Sequence, residues 1–382
     1  MVVRFLSMLR LLLLPLVLTA CAVQPDTLAP AALTPQQALE SPALALTGEA
    51  RLPSVDLLAV NEEMREFLRE QVPEDASRQR KVKLILQAIL DDGLQLDYNS
   101  FKTLTAEQAF YQRQGNCLSF TNLFVALARE AGLDVEYQEV DVPPSWDRWG
   151  NNHLYNRHIN ARVRLPFKGD QAVDFNMRDF DVEYTRKRVS DQYARALYHN
   201  NMAVYWLGEQ QLDQAYLSIR EAISLHPGTA FFWTNLGTVH SRIGDAARAE
   251  AAWLEAVRLA EEPSAMSNLA RFYERHDKPQ LAGYYADAVE GYRRKNPYYL
   301  YSQAEQAYEM GEYEEALSLL RRAVKIRDDE HEFYRLMGFS QLYLGDEAAA
   351  LDSFEQAEAV ADNEIDRHRY NQKQRLMAQV AH

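Results

Sequence analysis

The chain has 382 residues, 47% apolar and 25% charged, with 15 Gly, 14 Pro and a formal net charge of −14. Those figures fit a folded protein of two or three domains and exclude collagen-like, coiled-coil and disordered chains. So acidic a chain repels polyphosphate, which argues against a nucleic-acid partner. Its two cysteines, Cys21 and Cys117, are too few for a disulfide scaffold.

Arg4 and Arg10 precede an apolar run, LLLLPLVLTA, that ends at Cys21. The run is too short to span a bilayer, and the charged-then-apolar-then-small layout reads as a secretory signal peptide over residues 1–20. Met8 is an equally good start, since Arg10 and the apolar run still follow it. Leu18-Thr19-Ala20-Cys21 resembles the bacterial lipoprotein cleavage box. That resemblance implies cleavage before Cys21 and lipidation of its thiol, which would anchor the protein to a membrane. An ordinary signal peptide with an incidental cysteine is the alternative. Ala22 follows Cys21 where an aspartate marks inner-membrane retention in enteric bacteria, so the expected site in a Gram-negative host is the outer membrane, facing the periplasm. Residues 21–54 hold five prolines (Pro25, Pro30, Pro35, Pro42, Pro53) and many Ala and Thr. They read as an extended tether without a core.

Residues 55–71 and 77–91 carry helical apolar spacing. Residues 118–131, LSFTNLFVALAREA, are apolar nearly all round and stop at Gly132, which predicts a helix buried inside a domain. The period then becomes two, at Leu133, Val135, Tyr137, then Ile159, Ala161, Val163, Leu165, then Val173, Phe175, Met177. One buried helix against a small sheet makes an α+β domain over residues 55–190.

Cys117 opens the buried helix, where unsatisfied N–H groups and the positive end of the dipole favour a thiolate. His158 begins a strand and lies opposite Ile159, Ala161 and Val163; Asp174 lies opposite Val173 and Phe175 in the next strand. If both strands bury their apolar sides together, nucleophile, base and orienting carboxylate converge. An unpaired thiol in an oxidising compartment is a liability, so its retention is best explained by use. Trp146 and Trp149, in PPSWDRWGNNH, either roof the cleft or anchor a loop. His153 reads as a loop residue. With His158 it lacks the further ligands a zinc site needs, and no metal or other cofactor is expected.

GNCLSFTNLFVALAREAGLDVEYQEV, RHINARV and AVDFN resemble the signature blocks of the transglutaminase-like superfamily, within the papain-like fold. The resemblance covers about residues 56 to 190. It implies Cys117 as nucleophile, His158 as base and Asp174 as orienter. It also implies an oxyanion donor, partly the Cys117 backbone N–H and partly an upstream side chain among Gln108, Tyr111, Gln112 and Gln114.

Ala215, Ala249, Ala282, Ala316 and Ala350 recur every 33 or 34 residues. Ile219, Trp253, Ala286, Leu320 and Phe354 lie four beyond each, and Ala203, Gly237, Ala270, Ala304 and Gly338 twelve before. Small residues at fixed offsets let antiparallel helices approach, and larger ones fill the gap beside them. The pattern resembles the tetratricopeptide repeat, with five copies over 196–364 and a polar capping helix at 365–382. The first and third copies depart most: Gly208 sits early, and Asp277 stands for the turn glycine. The resemblance implies a surface for a peptide or protein partner.

The expected architecture is an α+β transglutaminase-like (papain-like) domain followed by an all-α tetratricopeptide-repeat solenoid. The expected function is that of an envelope lipoprotein whose thiol enzyme hydrolyses peptide or isopeptide amide bonds, with the repeats recruiting substrate or partner. Crosslinking acyl transfer by the same triad and an inactive binding scaffold are the alternatives. The helical join at Thr185–Leu197, free of Pro and Gly, predicts that the two folded parts pack together.

Overall fold

The computed structural model describes residues 33–44, 52–90, 93–149, 152–165, 169–175, 186–361 and Tyr370. The signal segment, Cys21 and the capping helix, apart from Tyr370, lie outside them. No helix among the described residues is long and apolar enough to cross a membrane.

The first element corrects the tether. Helix α1 (Pro35–Ala38) opens at Thr34, whose hydroxyl accepts from the Gln37 N–H while the Gln37 side chain accepts from the Thr34 N–H. Pro35 occupies the first turn, where its missing N–H costs nothing. Ala38 is fully buried. Three successive carbonyls find donors on the helical half: Gln37 O takes Arg248 Nε (3.1 Å), Ala38 O takes His240 Nε2 (2.8 Å) and Leu39 O takes the Tyr216 hydroxyl (2.6 Å). Residues 33–44 are thus a docked strap, not extended chain.

Helix α2 (Glu62–Gln71) starts later than its apolar spacing suggests, because Asn61 caps it by accepting from the Met64 N–H. Leu57 in the lead-in is still buried, and its carbonyl accepts from the Ala106 N–H at 2.9 Å. Then come α3 (Arg78–Leu90), β1 (Asp97–Tyr98), α4 (Ala106–Gln112), β2 (Gln114–Gly115) and α5 (Cys117–Glu130). In α5 every residue from Leu118 to Ala128 is buried. It ends where Gly132 takes φ +79° and the Leu133 N–H reaches back to Ala128 O at 2.9 Å.

Strands β3 (Val135–Trp149), β4 (Asn152–Leu165), β5 (Gly169–Val173) and β6 (Arg186–Val189) form an antiparallel sheet in the order β5-β4-β3-β6. Tyr137, Ala161, Val173 and Val189 are aligned across it, and the Tyr137 hydroxyl donates to Asn122 Oδ1 on α5 at 2.7 Å. That face is the core. The other carries Arg162, paired with Glu136 and Asp170. Pairing of β3 with β4 breaks between Val140↔His158 and Ser145↔Asn156. Pro143 and Pro144 fall in the break and have no N–H for the ladder. Beyond it the segment expected to be loop continues as a hairpin, so His153 lies on a strand, paired with Arg148.

Five antiparallel helix pairs follow: α6 (Asp191–Gly208) with α7 (Leu212–Leu225), α8 (Ala230–Ile243) with α9 (Ala246–Leu259), α10 (Pro263–Arg275) with α11 (Pro279–Lys295), α12 (Pro297–Glu309) with α13 (Tyr313–Ile326), and α14 (His331–Tyr343) with α15 (Glu347–Val360). The small-against-large rule is visible in atoms. A Cβ on Gly237 would lie 2.5 Å from the Trp253 ring, and one on Gly338 2.7 Å from Phe354. The turns of the second, fourth and fifth pairs use Gly244, Gly311 and Gly345 at positive φ. Gln210 and Asp277 adopt the same left-handed backbone, at +60° and +54°, in the two departing copies.

The join differs from the continuous helix expected. Arg186–Val189 adds β6 to the sheet, and Ser190 then caps α6. Arg129 clamps this junction, donating to both Asp191 carboxylate oxygens (2.6 and 2.9 Å) and to Val135 O. One apolar core runs from Ala38 through the α+β domain to Val289 in the third helix pair, and the later pairs have cores of their own.

Candidate active site

Strand β2 delivers the chain to the start of α5 in a conformation that requires Gly115. Its φ is +155°, and a Cβ there would lie 2.4 Å from that of Ser119. Asn116 then caps α5 by accepting from the Ser119 N–H (3.1 Å), while its amide donates to Thr103 Oγ1 (2.7 Å). The Ser119 hydroxyl, fully buried, accepts from the Leu104 N–H (2.8 Å). Thr121 donates to Cys117 O (2.8 Å), and its hydroxyl also approaches Ile159 O on β4. The turn carrying Cys117 is therefore held from several sides by hydrogen bonds, and the fully buried one from Leu104 N–H to Ser119 sits where leaving a donor unmet costs about 1–3 kcal/mol.

Cys117 is half-buried at the first position of α5. His158 lies at the interruption of the β3–β4 ladder and is buried. Its Nε2 meets Asp174 Oδ2 at 2.6 Å, and Cys117 lies close enough to act on the ring electrostatically. The structure thus brings Cys117, His158 and Asp174 together. Burial pulls the His158 pKa down, but the interactions with Asp174 and Cys117 outweigh it and raise the value to about 9. With Nε2 committed to the carboxylate, Nδ1 is the nitrogen left for the sulfur.

Two contributors escaped the sequence reading. Asn160, buried two residues along β4 from His158, donates from Nδ2 to Asp174 Oδ2 at 2.9 Å. It braces the carboxylate from the same strand face, and the i, i+2 spacing from the histidine was the available signal. Tyr98 is the second. The parallel pairing Tyr98↔Gly115 sets it beside the active turn, with its hydroxyl 3.6 Å from Cys117 Sγ. Such a pairing leaves no periodic trace in the sequence.

Two of the four upstream oxyanion candidates are engaged elsewhere. The Gln108 side chain caps α4, and the Tyr111 hydroxyl donates to Glu63 Oε2 at 2.8 Å. Gln112 is exposed at the end of α4, and Gln114 pairs with Asp97 in the small β1–β2 ladder. The side chains of Trp146, Trp149 and His153 lie outside the described residues. Among the described residues no cluster of three or more His, Cys, Asp or Glu is arranged to hold a metal ion.

Residues 65–169 match the family model of the transglutaminase-like superfamily, a span that includes Cys117 and His158 and stops short of Asp174. No curated protein matches the chain. Solved structures similar to it include a MamA protein, at 16% identity over 44% of this chain and 91% of that one, with a TM-score of 0.25. MamA 41-end from Desulfovibrio magneticus RS-1 is 16% identical over 45% of this chain and 96% of that one, TM-score 0.25. YrrB, titled a TPR protein with an unusual peptide-binding site, is 16% identical over 46% of this chain and 92% of that one, TM-score 0.25. The repeat fold rests on the chain's own helix pairs and glycine–aromatic contacts.

Proposed function

We propose that the transglutaminase-like domain in the N-terminal part of this chain is a thiol-dependent hydrolase of peptide or isopeptide amide bonds. One observation carries the reading: a single buried imidazole meets a carboxylate and lies close to a cysteine at a helix N-terminus. Cys117 passes its thiol proton to His158, Sγ attacks the amide carbon, and the carbonyl π pair moves to oxygen. As the pair returns, the C–N bond breaks and His158 gives its proton to the departing amine. Water, deprotonated by His158, then attacks the thioester; the C–S bond breaks, the acid is released, and the proton on His158 returns to the sulfur. Asp174, braced by Asn160, holds the ring for both transfers.

Water as acceptor is supported by access, since Cys117 is only half-buried and Tyr98 beside it is 56% exposed. Crosslinking would need a second groove admitting an amine while excluding water. The test offers the purified protein a glutamine- or isopeptide-containing substrate with excess labelled amine. Free acid as the main product fits the proposal, and dominant amine incorporation replaces it with crosslinking. No turnover by wild type, matching Cys117→Ala, replaces it with a binding scaffold.

The repeats, in this reading, recruit the protein substrate or a partner, as helical solenoids commonly do through extended surfaces. The Leu18–Cys21 box supports lipid attachment at Cys21 and residence on the periplasmic side of the outer membrane. Fractionation tests the anchor: Cys21→Ala should leave the membrane fraction, and its complete retention there would contradict lipid attachment.

A further inference from the structure

We propose that Tyr98 is a catalytic residue whose hydroxyl supplies the side-chain half of the oxyanion hole; this rests on the thiol-enzyme reading above. An acyl carbon bonded to Cys117 Sγ places its oxygen within one bond length of that carbon. A donor that stabilises it must stand close to the sulfur without being the base. The Tyr98 hydroxyl lies 3.6 Å from Sγ, and His158 is already bound to Asp174. The Cys117 N–H is the complementary donor, since it opens α5 where helix geometry supplies no intrahelical acceptor.

The position is held before any substrate arrives. β1 fixes the Tyr98 backbone against Gly115, and the Asn99 N–H continues the ladder to Gly115 O at 2.9 Å. The ring meets Phe120 edge-on (6.2 Å, 78°), and Phe120 meets Phe175 the same way (5.8 Å, 76°). Phe175 is the residue after Asp174, so one aromatic row aligns the donor and the carboxylate. A donor fixed in advance stabilises developing charge without reorganising during the reaction. As Sγ–C forms, the carbonyl π pair moves to oxygen, and the Tyr98 O–H donates to that oxygen. The hydroxyl keeps its proton, and this hydrogen bond weakens when the C=O re-forms.

Two reactions at the same sulfur separate this role from others. Iodoacetamide alkylates by displacement at carbon and creates no oxyanion. 4-Nitrophenyl acetate acylates through a tetrahedral intermediate and does. With the full folded chain, Tyr98→Phe should be alkylated at Cys117 at close to the wild-type rate, while acylation falls by about 100-fold or more. Preserved alkylation also shows that the fold is intact. Equal acylation rates for Tyr98→Phe and wild type would overturn the assignment alone. An equal fall in both reactions would also overturn it, because Tyr98 would then act on the sulfur. Absence of Cys117-dependent acylation in wild type would overturn the enzyme reading and this assignment together.

Discussion

The turn around Cys117 and the helix pairs after residue 190 solve the same problem, close approach of backbone, by opposite means. In the solenoid a glycine faces an aromatic ring, Gly237 against Trp253 and Gly338 against Phe354, at positions where the other copies carry alanine at the same fixed period. Its neighbours are near in sequence, and the later helix pairs have separate cores. At the active turn Gly115 faces Ser119, whose hydroxyl is tied to backbone from another segment. The triad then draws on residues 117, 158 and 174, and Tyr98 comes from a further strand. A change in the solenoid should therefore damage locally and by degrees, whereas one at the turn should remove function outright.

The largest expected effect is on chemistry. Cys117→Ala and His158→Ala should each lower amide turnover by about 10⁴-fold or more, and the double variant should be little worse than either, because the groups act as one unit. Progress curves for the three proteins check this; additive losses would mean that the two residues act separately.

Gly115→Ala should abolish activity as well, although it touches no reacting atom, since the added Cβ meets Ser119 Cβ at 2.4 Å and φ is positive. Gly237→Ala makes a clash of similar closeness with Trp253, yet should cost about 1–3 kcal/mol of stability and leave Cys117 alkylation unchanged. Urea denaturation alongside alkylation kinetics compares the pair directly.

Stability should depend on pH through His158. Its folded-state pKa, about 9, exceeds the ordinary 6.5, so folding favours the protonated ring. That stabilisation is complete below about pH 6.5 and is lost as pH rises through about 9, with an upper bound of about 3 kcal/mol. The urea midpoint of wild type should fall across that window, and His158→Gln should show a flatter profile.

The smallest effect expected is a gain. Gln210→Gly and Asp277→Gly replace left-handed non-glycine residues at turns where the other copies use glycine, and each should raise stability by about 0.5–1 kcal/mol. Thermal melting of each variant measures it.

What could be read from the sequence follows the same division. The alanine spacing exposes the helix pairs because helix packing repeats with the chain. Cys117, His158 and Asp174 could be named because each stands at the edge of an apolar pattern, one at a helix start, one on the polar face of β4 and one just past the end of β5. Tyr98 could not be named, because a two-residue parallel ladder between β1 and β2 places it. The strap at 33–44 was hidden for another reason. Proline content argues for extended chain, but Pro35 at a helix start is compatible with structure, and the three carbonyls that dock the strap carry no side-chain signature. Strand β6 was missed because RKRV is polar; its ladder with Tyr137–Val140 comes from backbone groups.

The central claim is that His158, positioned by Asp174, acts directly on the sulfur of Cys117. The most direct measurement is the second-order rate of Cys117 alkylation by iodoacetamide at pH 7 in wild type, His158→Gln and Asp174→Asn. Wild type should exceed a free model thiol by about tenfold or more, His158→Gln should fall to the model rate or below, and Asp174→Asn should lie between. A wild-type rate at or below that of the model thiol, or one unchanged by His158→Gln, would contradict the account.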